Sequence, residues 1–267
     1  MRNFLKLAGY TVIDLVHHKS FYVMLTIGVL FVLLLRGCYK QDYTVNGRQV
    51  TAATVAWHAS IIAFHVIAAG ALLIGALLSL GGLKRDRDDG SMIYILSKPV
   101  TRLDYLLAKI AGQWAVSFLF MLVLHLTILI IAYFNTGGVI PGYILASLTC
   151  SLNVLFMVVV VGLLSLVLPE FAAALISIGI VAISFISDTF FQVTNSDILK
   201  SVLPQAGPLS LWRVLWPKIA SLQFFAASFI DNSDFHSMGP LHPVITVSLW
   251  TIIVGGILLW RFQREEL

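Results

Sequence analysis

Charge is what this sequence has least of: Asp, Glu, Lys and Arg make up 11% of its 267 residues, against roughly 25% in soluble domains. With 59% hydrophobic residues and a mean hydropathy of +0.93, a single water-soluble core is excluded and a polytopic membrane protein is indicated. Cysteine is nearly absent as well. Cys38 ends the first apolar segment and Cys150 lies inside another, so the two are expected at different depths, beyond the ~6 Å that a disulfide allows between Cα atoms. No redox compartment follows from them. A Gly-x-x-x-x-Gly-Lys-[Ser/Thr] phosphate loop, a Gly-x-Ser-x-Gly elbow and a His-Glu-x-x-His pair are all missing, which leaves the chain without a nucleotide site and membrane catalysis without a residue cluster. The chain is therefore expected to be no enzyme and to hold no cofactor or metal of its own. A net charge of +4 would suit nucleic acid in a soluble protein. Here it marks one side of a membrane, and nucleic acid is not an expected partner.

What is present is a series of long apolar segments, at 20–38, 52–83, 103–134, 142–168, 171–191 and 243–260. Each is long enough to cross about 30 Å of hydrocarbon as a helix. The expected fold class is an all-α polytopic membrane protein, residues 1–267 forming one transmembrane domain. No small-residue cleavage site follows a short apolar core, so the first span is expected to be retained. Ahead of it, in residues 1–19, Phe4, Ala8, Val12 and Leu15 recur at helical spacing, largely opposite Asn3, Lys6, Asp14, His17 and His18. That pattern suits a helix lying in the interface against membrane lipids, with packing on neighbouring spans as the alternative. With the N-terminus inside, eleven of the 17 Lys and Arg residues fall on the cytoplasmic side, including Lys84, Arg85, Arg87, Arg261 and Arg264. Both termini are read as cytoplasmic.

The outer connections are unequal. Asn46-Gly47 between Tyr43, Val45 and Val50 is a two-residue turn signal that admits a small hairpin. Residues 192–242 are too polar and too rich in proline for a seventh simple span, and Pro217 interrupts any single helix over Leu209–Ile230. One or two outer interfacial or re-entrant helices are expected there. His58 and His65 lie seven residues apart on one helical face, ~10 Å along the axis and too far to share an ion. With His125 they are read as residues that hydrogen-bond between helices. Ser147, Thr149, Ser151 and Asn153 are read in the same way, and Trp57, Tyr133, Tyr143 and Trp260 as aromatic anchors at the interfaces.

One stretch is unlike the rest: the charged island from Leu83 to Lys109, whose part between spans two and three is 84–102. It contains too many charges for hydrocarbon and must lie in water beside the membrane. Asp88 or Asp89 is placed to cap a short helix over Gly90–Leu96, on which Met92, Ile95 and Leu96 fall at i, i+3 and i+4 as an exposed apolar stripe. Pro99 stops that helix after Ser97, and Thr101 caps the next, which starts near Arg102. An exposed stripe in a cytoplasmic loop calls for a partner protein.

The island resembles that of permease subunits in the type-2 ABC exporter superfamily, where acids, Gly, a small hydroxyl residue and an apolar stretch precede Ser-x-Pro-x-[Ser/Thr]-Arg and a Lys. This chain has Asp88, Asp89, Gly90, Ser91, then Ile93–Leu96, then Ser97-Lys98-Pro99-Val100-Thr101-Arg102, and Lys109. An Asp stands where Glu is commoner at the start of the island. The resemblance covers the full length and includes the tail Trp260-Arg261-Phe262-Gln263-Arg264-Glu265-Glu266. In style it is similar to maturation and accessory permeases such as the one serving nitrous oxide reductase assembly.

The resemblance implies an ATP-driven exporter in the bacterial inner membrane. Two permeases, identical or homologous, would bind two cytoplasmic ABC ATPase subunits that hold ATP and Mg, with an outer or periplasmic partner as a further expectation. It implies ATPase coupling through Asp88, Asp89, Gly90, Ser91, Met92, Ile95, Leu96, Ser97, Pro99 and Arg102, the stripe docking and Arg102 tying the helix to the membrane end. The alternatives are an ion-coupled transporter, for which His58, His65, His125 and Asp188 are the only buried ionisable candidates, and a membrane scaffold that transports nothing.

Overall fold

The computed structural model describes residues 2–34, 43–45, 48–50, 52–80, 82–97, 100–136, 142–194, 216–231, 235 and 241–264. In chain order the helices are α1 (Arg2–His17), α2 (Lys19–Leu34), α3 (Ala52–Ser79), α4 (Gly82–Asp88), α5 (Ser91–Leu96), α6 (Arg102–Thr136), α7 (Gly142–Val167), α8 (Glu170–Thr194), α9 (Ile219–Asp231) and α10 (Pro243–Arg264). Between α2 and α3, β1 (Tyr43–Val45) and β2 (Arg48–Val50) pair antiparallel, with Val45 opposite Arg48. That register is the hairpin which the Asn-Gly turn admits. The chain is an all-α polytopic membrane protein, this hairpin being the only sheet among the described residues.

Within α3, α6, α7, α8 and α10 lie five helical stretches long and apolar enough to cross a membrane, and α1 with α2 form a sixth candidate bent by 67°. The first expected span, 20–38, falls on α2, whose 16 residues run Lys19–Leu34, and positions 35–38 lie outside the described residues. The second does not run on to Leu83. It ends at Ser79, and Leu83 belongs to α4. The charged run Lys84-Arg85-Asp86-Arg87 just after Leu83 ends the apolar pattern.

α7 is the centre of the bundle: two thirds of its most apolar window is buried, against 28% for α8 and 22% for α10. Phe64, Phe120, Met121, Ile128, Met157 and Leu222 are enclosed in the core around it. α1 packs along α6, with Val12 and Leu15 turned to that core. The approach is closest at Gly112, where a Cβ would lie 2.6 Å from the Thr11 Cβ and 3.0 Å from the Ala8 carbonyl oxygen. The first helix thus packs on a neighbouring span.

α9 is inserted among α3, α7, α8 and α10, and none of residues 219–230 is exposed. Ser184 and Asp188, one turn apart on α8, satisfy its N-terminal donors. The Ser184 hydroxyl accepts from Ile219 N at 3.1 Å and donates to Pro217 O at 2.8 Å, and the Asp188 carboxylate accepts from Ser221 N at 2.8 Å and Ser221 Oγ at 2.9 Å. An anion here also opposes the positive end of the helix dipole. The far end of α9 lies so close to Gly142 that a Cβ there would sit 1.8 Å from Phe229 O.

Candidate functional site

α4, α5 and the start of α6 form one compact unit. Where Asp88 or Asp89 was expected to cap α5, the N-cap is Gly90, with φ 70° and no side-chain cap hydrogen bond. The reason is geometric. The left-handed backbone that joins α4 to α5 favours glycine, and Asp89 instead extends α4, its N–H bonded to Arg85 O at 2.9 Å and its carboxylate 3.9 Å from Arg85 Nε. Both Asp88 and Asp89 are exposed. Ser91 donates its hydroxyl to Asp86 O at 3.1 Å, tying the first residue of α5 back to α4.

The apolar stripe of α5 is not exposed, contrary to expectation. Met92 is buried, and Ile95 and Leu96 are half-buried against a cluster containing Leu83, Tyr105, Leu106, Val158, Leu258 and Phe262. Periodicity identifies an apolar face and not what covers it; here α4, α6, α7 and α10 cover it. The side chains that α5 shows to solvent are Ile93 at 59% exposure and Tyr94 at 67%. Ser97 closes the helix, its hydroxyl donating to Tyr94 O at 2.8 Å, while Lys98 and Pro99 lie outside the described residues.

The restart at Thr101 is as expected. The Thr101 hydroxyl accepts from Asp104 N at 3.0 Å and donates to Asp104 Oδ2 at 2.8 Å, a reciprocal cap at the N-terminus of α6. Arg102 donates from Nη1 to Gln263 O at 3.2 Å, joining the start of α6 to the end of α10. Beside it Tyr105 stacks on Phe262, ring centroids 6.1 Å apart, and Arg264 lies 4.2 Å from the Trp260 ring centroid.

Three residues outside the expected site fasten this unit. Asp86 of α4 accepts the Lys109 ammonium at 2.6 Å, the side chains being 17% and 15% exposed. The same carboxylate oxygen accepts from the Tyr105 hydroxyl. Tyr105 and Lys109 are one turn apart on α6, so a single face grips a single carboxylate. A signal was available in the sequence: a lysine two turns inside an apolar span needs an anionic partner, and the acids of the island are the nearest supply.

The histidines form no such centre. His125 is buried, its Nε2 3.5 Å from Phe64 O, its Nδ1 paired with Ser147 Oγ, and its ring stacked on Phe64 at 4.8 Å. Among the described residues no group of three His, Cys, Asp or Glu is placed to hold a metal. Asn153 donates to Ile219 O at 2.9 Å, so the polar seam of α7 does serve helix packing. Tyr143, expected as an interface anchor, is buried: it donates to Ser60 O at 3.0 Å and packs edge-on against Phe64 and His125, between α3 and α6.

A search of curated proteins finds no match to this chain. The sequence model of the ABC-2 family transporter proteins matches residues 6–267. With nearly the whole length matched, and the island held between the second and third spans, the chain belongs to the ABC-2 transporter family.

Proposed function

We propose that this protein is the permease subunit of an ATP-driven exporter, and that α4–α5 is the element through which a separate cytoplasmic ATPase moves the spans. The observation that carries the reading is the Asp86–Lys109 contact at 2.6 Å. A lever must be fixed to what it moves, and this ion pair, with Tyr105 and the buried Met92, fixes α4–α5 to α6. The Arg102 bond to Gln263 O extends the attachment to α10. A push on α5 is then delivered to two spans.

The docking face is read as Ile93 and Tyr94 with Asp88 and Asp89 beside them, all exposed, while Met92, Ile95 and Leu96 anchor the helix from behind. In this reading the ATPase holds ATP and Mg, two copies act on a pair of permeases, identical or homologous, and both chain termini face the cytoplasm of a bacterial inner membrane. α1 lies along the inner interface, and α9 is a re-entrant helix from the outer face. A maturation or accessory role with an outer partner fits the same arrangement. An ion-coupled carrier is less well served, because Asp188 and His125 are engaged in hydrogen bonds that hold helices together.

The test is to purify the full chain from its host in mild detergent and identify what accompanies it. A stoichiometric subunit with a phosphate loop, lost on Tyr94→Asp while the permease stays folded, supports the reading. A permease isolated alone, or an ATPase that tolerates Tyr94→Asp and Ile93→Asp together, refutes the docking face.

A further inference from the structure

A cavity of about 450 Å³ opens between α1, the α4–α5 unit and the start of α6, within the ~300–1,000 Å³ of small-molecule sites. Its polar groups come from opposite walls: Lys6, Tyr10 and Asp14 on α1, and Asp86, Tyr105 and Lys109 across from them, with most of the remaining wall apolar. Lys6, Tyr10 and Asp14 recur every fourth residue, so they form one row about 12 Å long, and all three are exposed.

The position of the cavity along α6 restricts what can enter. α6 has 35 residues, roughly 52 Å at 1.5 Å per residue, against ~30 Å of hydrocarbon. Its first two turns, with Tyr105 and Lys109, therefore project to the level of the lipid headgroups. A cleft there, mostly apolar with charges on its rim, faces the glycerol and phosphate region of the bilayer.

The charges select further. Asp86 and Lys109 neutralise each other. Among the described residues neither Lys6 nor Asp14 takes part in an ion pair. One cation and one anion are thus left on the rim: a purely anionic ligand would meet Asp14 and a purely cationic one would meet Lys6. We propose that this cleft binds the phosphate–ammonium zwitterion of a phospholipid headgroup, the phosphate at Lys6 and the ammonium at Asp14. An occupant would touch α1 and the α4–α5 unit at once and so regulate how freely the one moves against the other. The site stands apart from the docking of an ATPase.

The test uses the full chain in nanodiscs containing a phosphatidylethanolamine with a diazirine on its glycerol end, followed by peptide mapping. Labelling is expected to concentrate in residues 6–14 and 86–95 and to fall by at least about ten-fold in Lys6→Gln/Asp14→Asn, which removes both charge-assisted contacts. Both changes are at exposed positions and leave the fold intact, and Lys19→Gln, also exposed, is the control. Free phosphoethanolamine competing at millimolar concentration assigns the headgroup alone as ligand; no competition assigns the lipid. Equal labelling by an anionic phosphatidylglycerol probe, or labelling unchanged in the double variant, overturns the proposal.

Discussion

Asp86 and Lys109 meet at 2.6 Å across 23 positions of sequence, one in a seven-residue helix, the other two turns from the start of α6. Each side chain is about one-sixth exposed, so each charge is largely withdrawn from water and depends on the other. Removing one leaves the other partly buried and unpaired, which is costlier than removing both. Asp86→Asn and Lys109→Met are each expected to destabilise the protein by about 2 kcal/mol, and the double variant by less than the sum. Thermal unfolding in detergent measures all three; strict additivity would mean the contact is not formed. On the proposed coupling to a separate ATPase, the single variants should also weaken the stimulation of ATP hydrolysis by substrate.

The two faces of α5 should respond oppositely to the same substitution. Ile95→Asp puts a charge into the half-buried side of the helix and Met92→Ala opens a cavity where the residue is 2% exposed; each is expected to cost about 2–4 kcal/mol. Ile93→Asp on the exposed side should leave the melting temperature within a degree or two. Far-UV circular dichroism melts separate these outcomes. Equal destabilisation on both faces would contradict the observed packing of the helix.

For α9 the expectation concerns its attachment. Asp188→Ala removes the acceptor that Ser221 N and Ser221 Oγ share, at a cost of about 2–3 kcal/mol. Asp188→Asn keeps an acceptor but not the charge and should cost about 1 kcal/mol. Limited proteolysis from the Gln192–His242 side reads the loosening of α9. Equal susceptibility of the two variants would show that the acceptor does not hold the helix.

Gly112→Leu tests the seat of α1. A Cβ already falls 2.6 Å from Thr11 Cβ, so the larger side chain should lift α1 from α6 and leave the spans in place. A cysteine substituted for the buried Thr11 should then react with a water-soluble maleimide at least ten-fold faster than in the Gly112 background. An unchanged rate would place α1 elsewhere.

Much of this molecule is legible from its sequence, for reasons that also explain what is not. Local chemistry carries the spans, the Asn-Gly hairpin and the Thr101–Asp104 cap, because length, hydropathy and turn type are short-range properties. The face of α5 is long-range. Met92, Ile95 and Leu96 are rightly found on one stripe, but whether it meets a partner or the protein's own Leu106, Val158 and Leu258 is decided by how α6, α7 and α10 come together. Asp86 looks like any other acid in a charged run, and only the fold selects it for Lys109. Within residues 192–242 one or two helices are expected, and the 13-residue α9 lies there; that other helices enclose it, its first donors answered from α8, is again long-range.

That answer from α8 constrains biogenesis. A 13-residue helix is too short to be recognised and partitioned into the bilayer as a span, and the N–H groups at its start have no water deep in the bundle. Their acceptors, Ser184 and Asp188, are synthesised only some 30 residues earlier, and the Gly142 end of α7 that receives its last turn must already be in place. α9 therefore enters as a late event after α7 and α8 have been inserted, by tertiary docking and not by the insertion machinery. A chain stalled before that step would present an open slot on α7, with the Asn153 amide parted from its Ile219 acceptor.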